Sequence, residues 1–206
     1  MPSATPLDTA PTEPARRLDP DARREQIVQA GLTLLQDTPF DQVSAVDVAR
    51  VAGVSKGLVF HYFPTTSDLH AALLRAVTSE LLVLVDQRPD LDYEGRLAAG
   101  LDAFVSYIEN QPSVYVAMTR GAGSDPALQA VFEDTRNAIV ELILNVLGLA
   151  DDPPAGLRIM LRGWIAMVEE ATLHWLPEQA VPRERLIAFL VRAAITMLPD
   201  ALALDD

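Results

Sequence analysis

The chain contains no cysteine. That absence excludes a thiol nucleophile, a cysteine-based zinc site, disulfide cross-links and redox switching at sulfur, and it fits a reducing cytosol. Histidine is scarce, with three dispersed residues, and there is neither a phosphate-binding glycine loop nor a serine framed by glycines. Nothing here has the spacing of a catalytic constellation, so we expect no enzyme, no cofactor and no metal. No apolar run approaches the roughly 18 residues that a bilayer span needs, because Arg, Asp or Glu interrupts every helical stretch. Met1 to Glu13 is Pro, Thr and Asp without an apolar block, so no secretory signal is expected. These gaps together predict a soluble cytoplasmic protein with no membrane partner.

Lysine occurs once, as Lys56, the other members of the 16 Lys and Arg residues being arginine. Half of the 206 residues are apolar, enough to bury a substantial core in one large domain or two closely packed ones. The net charge of −13 opposes approach to a polyanion, but it is unevenly placed. Residues 71–206 hold 10 Arg against 20 Asp and Glu, whereas residues 16–70 hold 5 Arg and 1 Lys against 7 acids. A small, nearly neutral face on an acidic body is compatible with DNA, with modest non-specific affinity.

Residues 1–18, rich in Pro, Thr and Ala and ending in Arg16 and Arg17, show no period and read as a disordered arm. Asp19-Pro20 reads as an N-cap followed by a first-turn proline. Ile27, Val28, Ala30, Gly31, Leu34 and Leu35 then form an apolar stripe at helical spacing, and Pro39 is expected to end the helix. Ser44 with Asp47 is a capping-box pattern opening a short helix, Gly53 supplies a turn, and Ser55 caps a second short helix that Phe63-Pro64 stops. Two short helices around a three- to four-residue glycine turn read as a helix-turn-helix. Thr65 and Asp68 open a long helix reaching about Gln87. Helical periodicity returns at about 93–110, 113–120, 126–148, 155–176 and 183–198, with breaks at prolines and glycines and no sustained two-residue alternation. The expected fold is all-α, with about nine helices.

The run from Phe40 to Phe63, with the helix before it, resembles the DNA-binding domain of the TetR family of bacterial regulators. The likeness is close over residues 20–75; beyond them it rests on helix number, length and order. It implies a helix-turn-helix DNA-binding domain at 19–65 and a larger helical domain at 66–206 for ligand binding and dimerisation. By resemblance, Ser44, Ser55, Lys56, Gly57, His61 and Tyr62 are turned to double-stranded operator DNA. The residues suit that task. Helix N-termini offer N–H groups to phosphate, Lys56 and Gly57 are a long and a very small residue at the groove, and an imidazole and a phenol can bond phosphate oxygens. Each also has an ordinary reading: the serines as caps, Lys56 and His61 as solvated groups, Tyr62 as core. Thr66 stands where the family commonly has Lys, and Val46 where a polar or basic residue is frequent. Arg16 and Arg17 then become either minor-groove contacts or a solvated terminus.

In the body, the helices at about 155–176 and 183–198 are apolar around most of their circumference, which calls for cover on more than one side. The resemblance implies that they form a homodimer, setting two recognition helices about one DNA turn apart over a palindrome. Phe104, Tyr107, Ile108, Tyr115, Met118, Phe132, Trp164 and Met167 mix aromatics with adaptable methionine, as a cavity for a largely apolar small-molecule effector does and as ordinary core does too. Glu170 and His174 stand i, i+4, a surface pair or a polar anchor. The glycines at 121 and 123 mark a hinge or a plain connector. The expected function is a repressor that an effector releases from its operator. Its rivals are an activator and a helical small-molecule-binding protein without specific DNA binding.

Overall fold

Pro20 opens the first helix, α1 (Pro20–Leu35), in a computed structural model that describes residues 19–85, 88–116 and 125–205. The arm with Arg16 and Arg17, Met118 and the glycines at 121 and 123 lie outside the described residues. Asp19 is the N-cap through its backbone alone: its carbonyl accepts from Arg23 N at 2.9 Å, with no side-chain cap bond. The helix ends at Leu35, four residues ahead of the proline expected to stop it, because Leu34 O takes the N–H groups of Asp37 and Thr38 in a closing turn. Pro39 instead starts a single 3-10 turn over Phe40–Gln42.

The short helices α2 (Ala45–Ala52) and α3 (Lys56–Tyr62) follow, each begun by a serine whose Oγ accepts an N–H three residues on. Next come α4 (Thr66–Val85), α5 (Tyr93–Asn110), α6 (Pro112–Val116), α7 (Pro126–Leu147), α8 (Ala155–Trp175) and α9 (Arg183–Leu202). Among the described residues there are nine α-helices and no strand. The Thr65 and Asp68 box at the start of α4 is closed in both directions, each N–H meeting the other's side chain at 3.0 Å. Helix α9 runs past the expected stop at residue 198, carrying Pro199 inside it. Proline removes one N–H, but packing outweighs that loss: Ala201 is buried beside Gly156, where an added Cβ would lie 2.2 Å from Ala201 O.

Two main cores result. The first joins Ile27, Val48, Val59, Leu69 and Leu73 of the N-terminal helices to Leu128 and Val131 of α7. It therefore continues past residue 65 without a break. The second gathers Leu101, Val105, Leu144, Leu161, Trp164 and Leu190 from α5, α7, α8 and α9. Burying each such side chain is worth ~1.5–3 kcal/mol, so these contacts rather than helix propensity hold the arrangement. Ile108, Tyr115 and Leu173 make a small third cluster.

Candidate nucleic-acid interface and effector cavity

The path from α2 to α3 is set by local chemistry. Ser44 Oγ accepts from Asp47 N at 3.2 Å and donates to the Asp47 carboxylate at 2.6 Å, and this bond is the main reason that carboxyl is held below the usual range. At the other end Gly53 takes φ +65°, a left-handed conformation that costs glycine nothing, and its N–H returns to Ala49 O and Arg50 O. Val54 N also bonds Ala49 O, at 2.9 Å, and Ser55 then caps α3 by accepting from Leu58 N at 3.1 Å.

Helix α3 has a dry and a wet side. Val59 is completely buried and Phe63, just past its end, nearly so, both in the first core. Ser55, Lys56, Gly57 and His61 are exposed, and Tyr62 is half-buried against that core. Lys56 Nζ lies 5.6 Å from the Phe60 ring centroid, and the His61 and Tyr62 rings meet edge to face at 5.3 Å. An added Cβ at Gly57 would meet nothing closer than Ser55 Oγ at 3.9 Å. Ser44 is half-buried, its hydroxyl committed to the capping box. Phe60 is half-buried, packed against the first core with Lys56 Nζ near its ring.

Several contacts around this unit have no local sequence signal. Arg23 donates to Gln26 Oε1 at 2.7 Å, and Gln26 Nε2 donates to Ala52 O at 2.8 Å. The Arg24 guanidinium sits 4.9 Å over the Phe63 ring. On α4, His70 Nε2 donates to Val43 O at 2.8 Å while its ring tilts against Phe40, fixing the segment that leads into α2. Ser67 Oγ donates to Asp125, the N-cap of α7.

Behind this unit, the last turns of α4 and parts of α5, α7 and α8 line a partly open cavity of about 110 Å³. Its walls are apolar apart from Tyr93, Arg96 and Glu169. Glu169 is bound to Arg136, whose Nε reaches its two oxygens at 3.0 and 3.1 Å and whose Nη2 reaches one at 2.6 Å. That pairing is the main reason the guanidinium is held well above its usual range. Tyr115 donates its hydroxyl to Glu169 O at 3.0 Å, and burial pushes its phenol far up.

The aromatic and methionine residues singled out from sequence do not share one wall. Phe104 and Trp164 line the cavity, Trp164 also donating its indole N–H to Leu190 O at 2.9 Å. Ile108 and Tyr115 belong to the third cluster, while Tyr107 and Phe132 pack against the first core. The Tyr107 hydroxyl is buried without a hydrogen-bond partner among the described residues, and burial, then Glu80, pushes it up to about 12. Met167 is half-buried beside the second core, away from the cavity lining. Helical periodicity put these residues inside without saying which neighbour each faces. Glu170 and His174 are both exposed on α8.

Two family models match the chain. One, described as bacterial regulatory proteins of the tetR family, covers residues 27–73, and the other, a tetracyclin repressor-like C-terminal domain, covers residues 93–197. Among curated proteins, the nucleoid occlusion factor SlmA of Idiomarina loihiensis is 27% identical over 129 residues, 61% of this chain and 66% of SlmA. The transcriptional activator FasR of Mycolicibacterium smegmatis is 24% identical over 164 residues, 78% of this chain and 75% of FasR. A tetR-family transcriptional regulator from Streptomyces coelicolor superposes with a TM-score of 0.74 at 28% identity, covering 91% of this chain and 85% of that one.

Proposed function

The chain belongs to the TetR family of bacterial regulators, DNA-binding transcription factors rather than enzymes, and on that premise we propose that it is a cytoplasmic repressor which grips a palindromic operator as a homodimer and leaves it when a small, mainly apolar effector fills the body cavity. The observation that carries this reading is the division of α3: a buried underside of Val59 against an exposed edge of Ser55, Lys56, Gly57 and His61, flanked by Tyr62. Ser44 stands at the N-terminus of α2, its hydroxyl held in the capping box, where the free N–H groups of the first turn suit phosphate. No helix among the described residues is long and apolar enough to cross a membrane.

The effector cavity shares its walls with the helices that hold the DNA-binding unit. Helix α4 starts in the first core and lines the cavity with Leu81 and Leu82; α7 starts in the same core and lines the cavity with Ile139 and Val146. A ligand that spreads these helices biases α4, and with it the separation of the two heads of a dimer, so effector and operator favour different arrangements. Phe104 and Trp164 are the apolar wall this ligand meets.

Uncovered apolar residues on α8 and α9 support these helices as the homodimer interface. Ile159 is 68% exposed on α8 and Phe189 is 51% exposed on α9. Gly163 lies on the same face of α8 with open space where a Cβ would be. On this reading residues 19–65 are the DNA-reading part and 66–206 the ligand and dimer part, with the first core running from the one into α4 and α7 of the other.

A duplex selected by the native chain from its own upstream DNA tests the reading. Specific binding should weaken steeply with salt, and an apolar effector should release it. A salt-independent complex, or none, would instead leave a helical ligand-binding protein. Because FasR is named an activator, the sign of regulation is tested separately, by a reporter driven from the bound promoter with and without the regulator. Higher output on deleting the regulator is the result expected.

A further inference from the structure

We propose that Gln26, oriented by Arg23, is a positioning residue for operator recognition: it locks the peptide on which α3 swings relative to α2. The inference rests on reading α3 as the helix that enters the groove. Helix α2 ends in a left-handed glycine, and its last carbonyls must find partners from outside the helix or from the turn. Ala49 O takes Gly53 N and Val54 N, and Arg50 O shares Gly53 N. Ala52 O, on the peptide that joins α2 to Gly53, is satisfied from another helix altogether, by Gln26 Nε2 at 2.8 Å. That peptide plane is the first element of the turn. Its orientation, with φ of Gly53, sets where the chain emerges toward Ser55 and therefore how α3 is aimed.

The amide cannot be reversed without loss. Arg23 donates to Gln26 Oε1 at 2.7 Å, so the oxygen is claimed by an N–H donor and the nitrogen is left for the carbonyl. The other end of α3 is held by the next residue of α1, Arg24, over the ring of Phe63. A single turn of α1 thereby fixes both the entry and the exit of α3, while neither Arg23 nor Gln26 belongs to the helix-turn-helix itself. Because glycine at 53 tolerates a wide range of backbone angles, this external bond supplies restraint that the turn residue does not.

The test uses the full chain, a duplex selected by the native protein from a random pool, and a scrambled duplex of equal length. Gln26→Glu is the informative variant: its carboxylate keeps Arg23 as partner and fills the same volume, but has no N–H for Ala52 O. Gln26→Glu and Gln26→Ala should each lose about tenfold in affinity for the selected duplex, the scale of one hydrogen bond. Affinity for the scrambled duplex should stay within about twofold, its phosphate contacts being unchanged. Arg23→Ala should weaken selected binding and Arg23→Lys, which still donates to Gln26, should retain most of it.

Native-like binding by Gln26→Glu would overturn the proposal. So would equal losses on both duplexes, which signal a change in charge or folding rather than aim. Should Gln26→Ala fail to fold, the isosteric Glu variant and the two Arg23 variants decide alone. Lys56→Ala, run in parallel, keeps the two readings apart. If it leaves selected binding untouched, the assignment of α3 fails and this inference with it; if it weakens binding while Gln26→Glu does not, only this inference is lost.

Discussion

Ser67 Oγ donates to Asp125 Oδ1 at 2.9 Å, tying the first turn of α4 to the N-cap of α7 across 58 residues of sequence. The same oxygen accepts the N–H groups of Ala127 and Leu128, so one carboxylate starts α7 and pins it to α4 at once. From this point both helices lead toward the cavity, Leu82 lying about 22 Å along α4 and Ile139 about 21 Å along α7 at 1.5 Å per residue. Anything that widens the cavity works on the far ends of two levers joined at their near ends.

Removing the pin while leaving the cap is possible with Ser67→Ala. The Ser67 bond is the main reason the Asp125 carboxyl is held below its usual range. A carboxyl depressed in the folded state adds stability that is present above its unfolded value, about 3.9, and is lost as pH falls through the folded value. Urea titrations at neutral pH should show Ser67→Ala weaker by about 1 kcal/mol, and the gap should narrow progressively as pH falls below about 3.9. A gap of the same size across that range would assign the loss to packing instead of the carboxylate bond.

Lys56 and Tyr62 call for different substitutions because only one of them is free of the core. Lys56 is exposed, so Lys56→Ala should leave the thermal midpoint within about 1 °C and weaken operator binding. If its partner is a phosphate, the slope of log affinity against log salt should drop by about 0.9. Tyr62 packs against the first core, so truncation to Ala would confuse folding with binding. Tyr62→Phe removes the hydroxyl alone. It should bind the operator several-fold more weakly at unchanged stability, as measured by fluorescence anisotropy beside thermal denaturation.

The difference between what was legible and what was hidden follows from sequence distance. Ser44 with Asp47, Gly53 and Ser55 act on N–H groups and torsions within a few residues, and their patterns are local rules. Gln26 with Ala52 and Ser67 with Asp125 are joined only by the packing of helices, and no spacing announces them. Helix α5 makes the same point for the cavity. Phe104, Tyr107 and Ile108 share the apolar side of one helix, yet they reach the cavity, the first core and the third cluster respectively. Periodicity identifies a buried stripe and is silent about which neighbour each residue meets. Pro199 was a misleading stop because the contact of Ala201 with Gly156 lies 45 residues back along the chain.

Arg136 and Glu169 join α7 to α8 at the edge of the cavity with limited exposure, 30% and 20% for the two side chains. Glu133 pairs with both Arg136 and Arg162, extending the link along α7. Glu169→Gln removes the carboxylate charge while sparing the backbone carbonyl that Tyr115 bonds. It should lower stability by about 1–2 kcal/mol, less than for a fully buried pair because water reaches part of this one. In a double-mutant cycle with Arg136→Gln the coupling should be of the same order. Strict additivity would show that the two side chains share a location without sharing energy.

Gly163 gives the sharpest test of the pairing surface. Glycine inside a helix costs about 1 kcal/mol relative to alanine, and among the described residues nothing lies within 4 Å of where its Cβ would be. On the exposed side of α8 it stands between Ile159 and Ala166, a strip on which a second helix can approach closely. The Cβ of Gly163→Leu meets no atom among the described residues, so an isolated protomer should gain helix stability. In the proposed dimer the same side chain would stand where the partner's helix lies, and overpacking of that kind costs about 1–3 kcal/mol per site. Sedimentation equilibrium should therefore show a weaker dimer for Gly163→Leu, with helical content by circular dichroism unchanged. The loss should appear twice in the association constant because a two-fold axis duplicates the site. An undiminished dimer would place the pairing surface away from this face of α8.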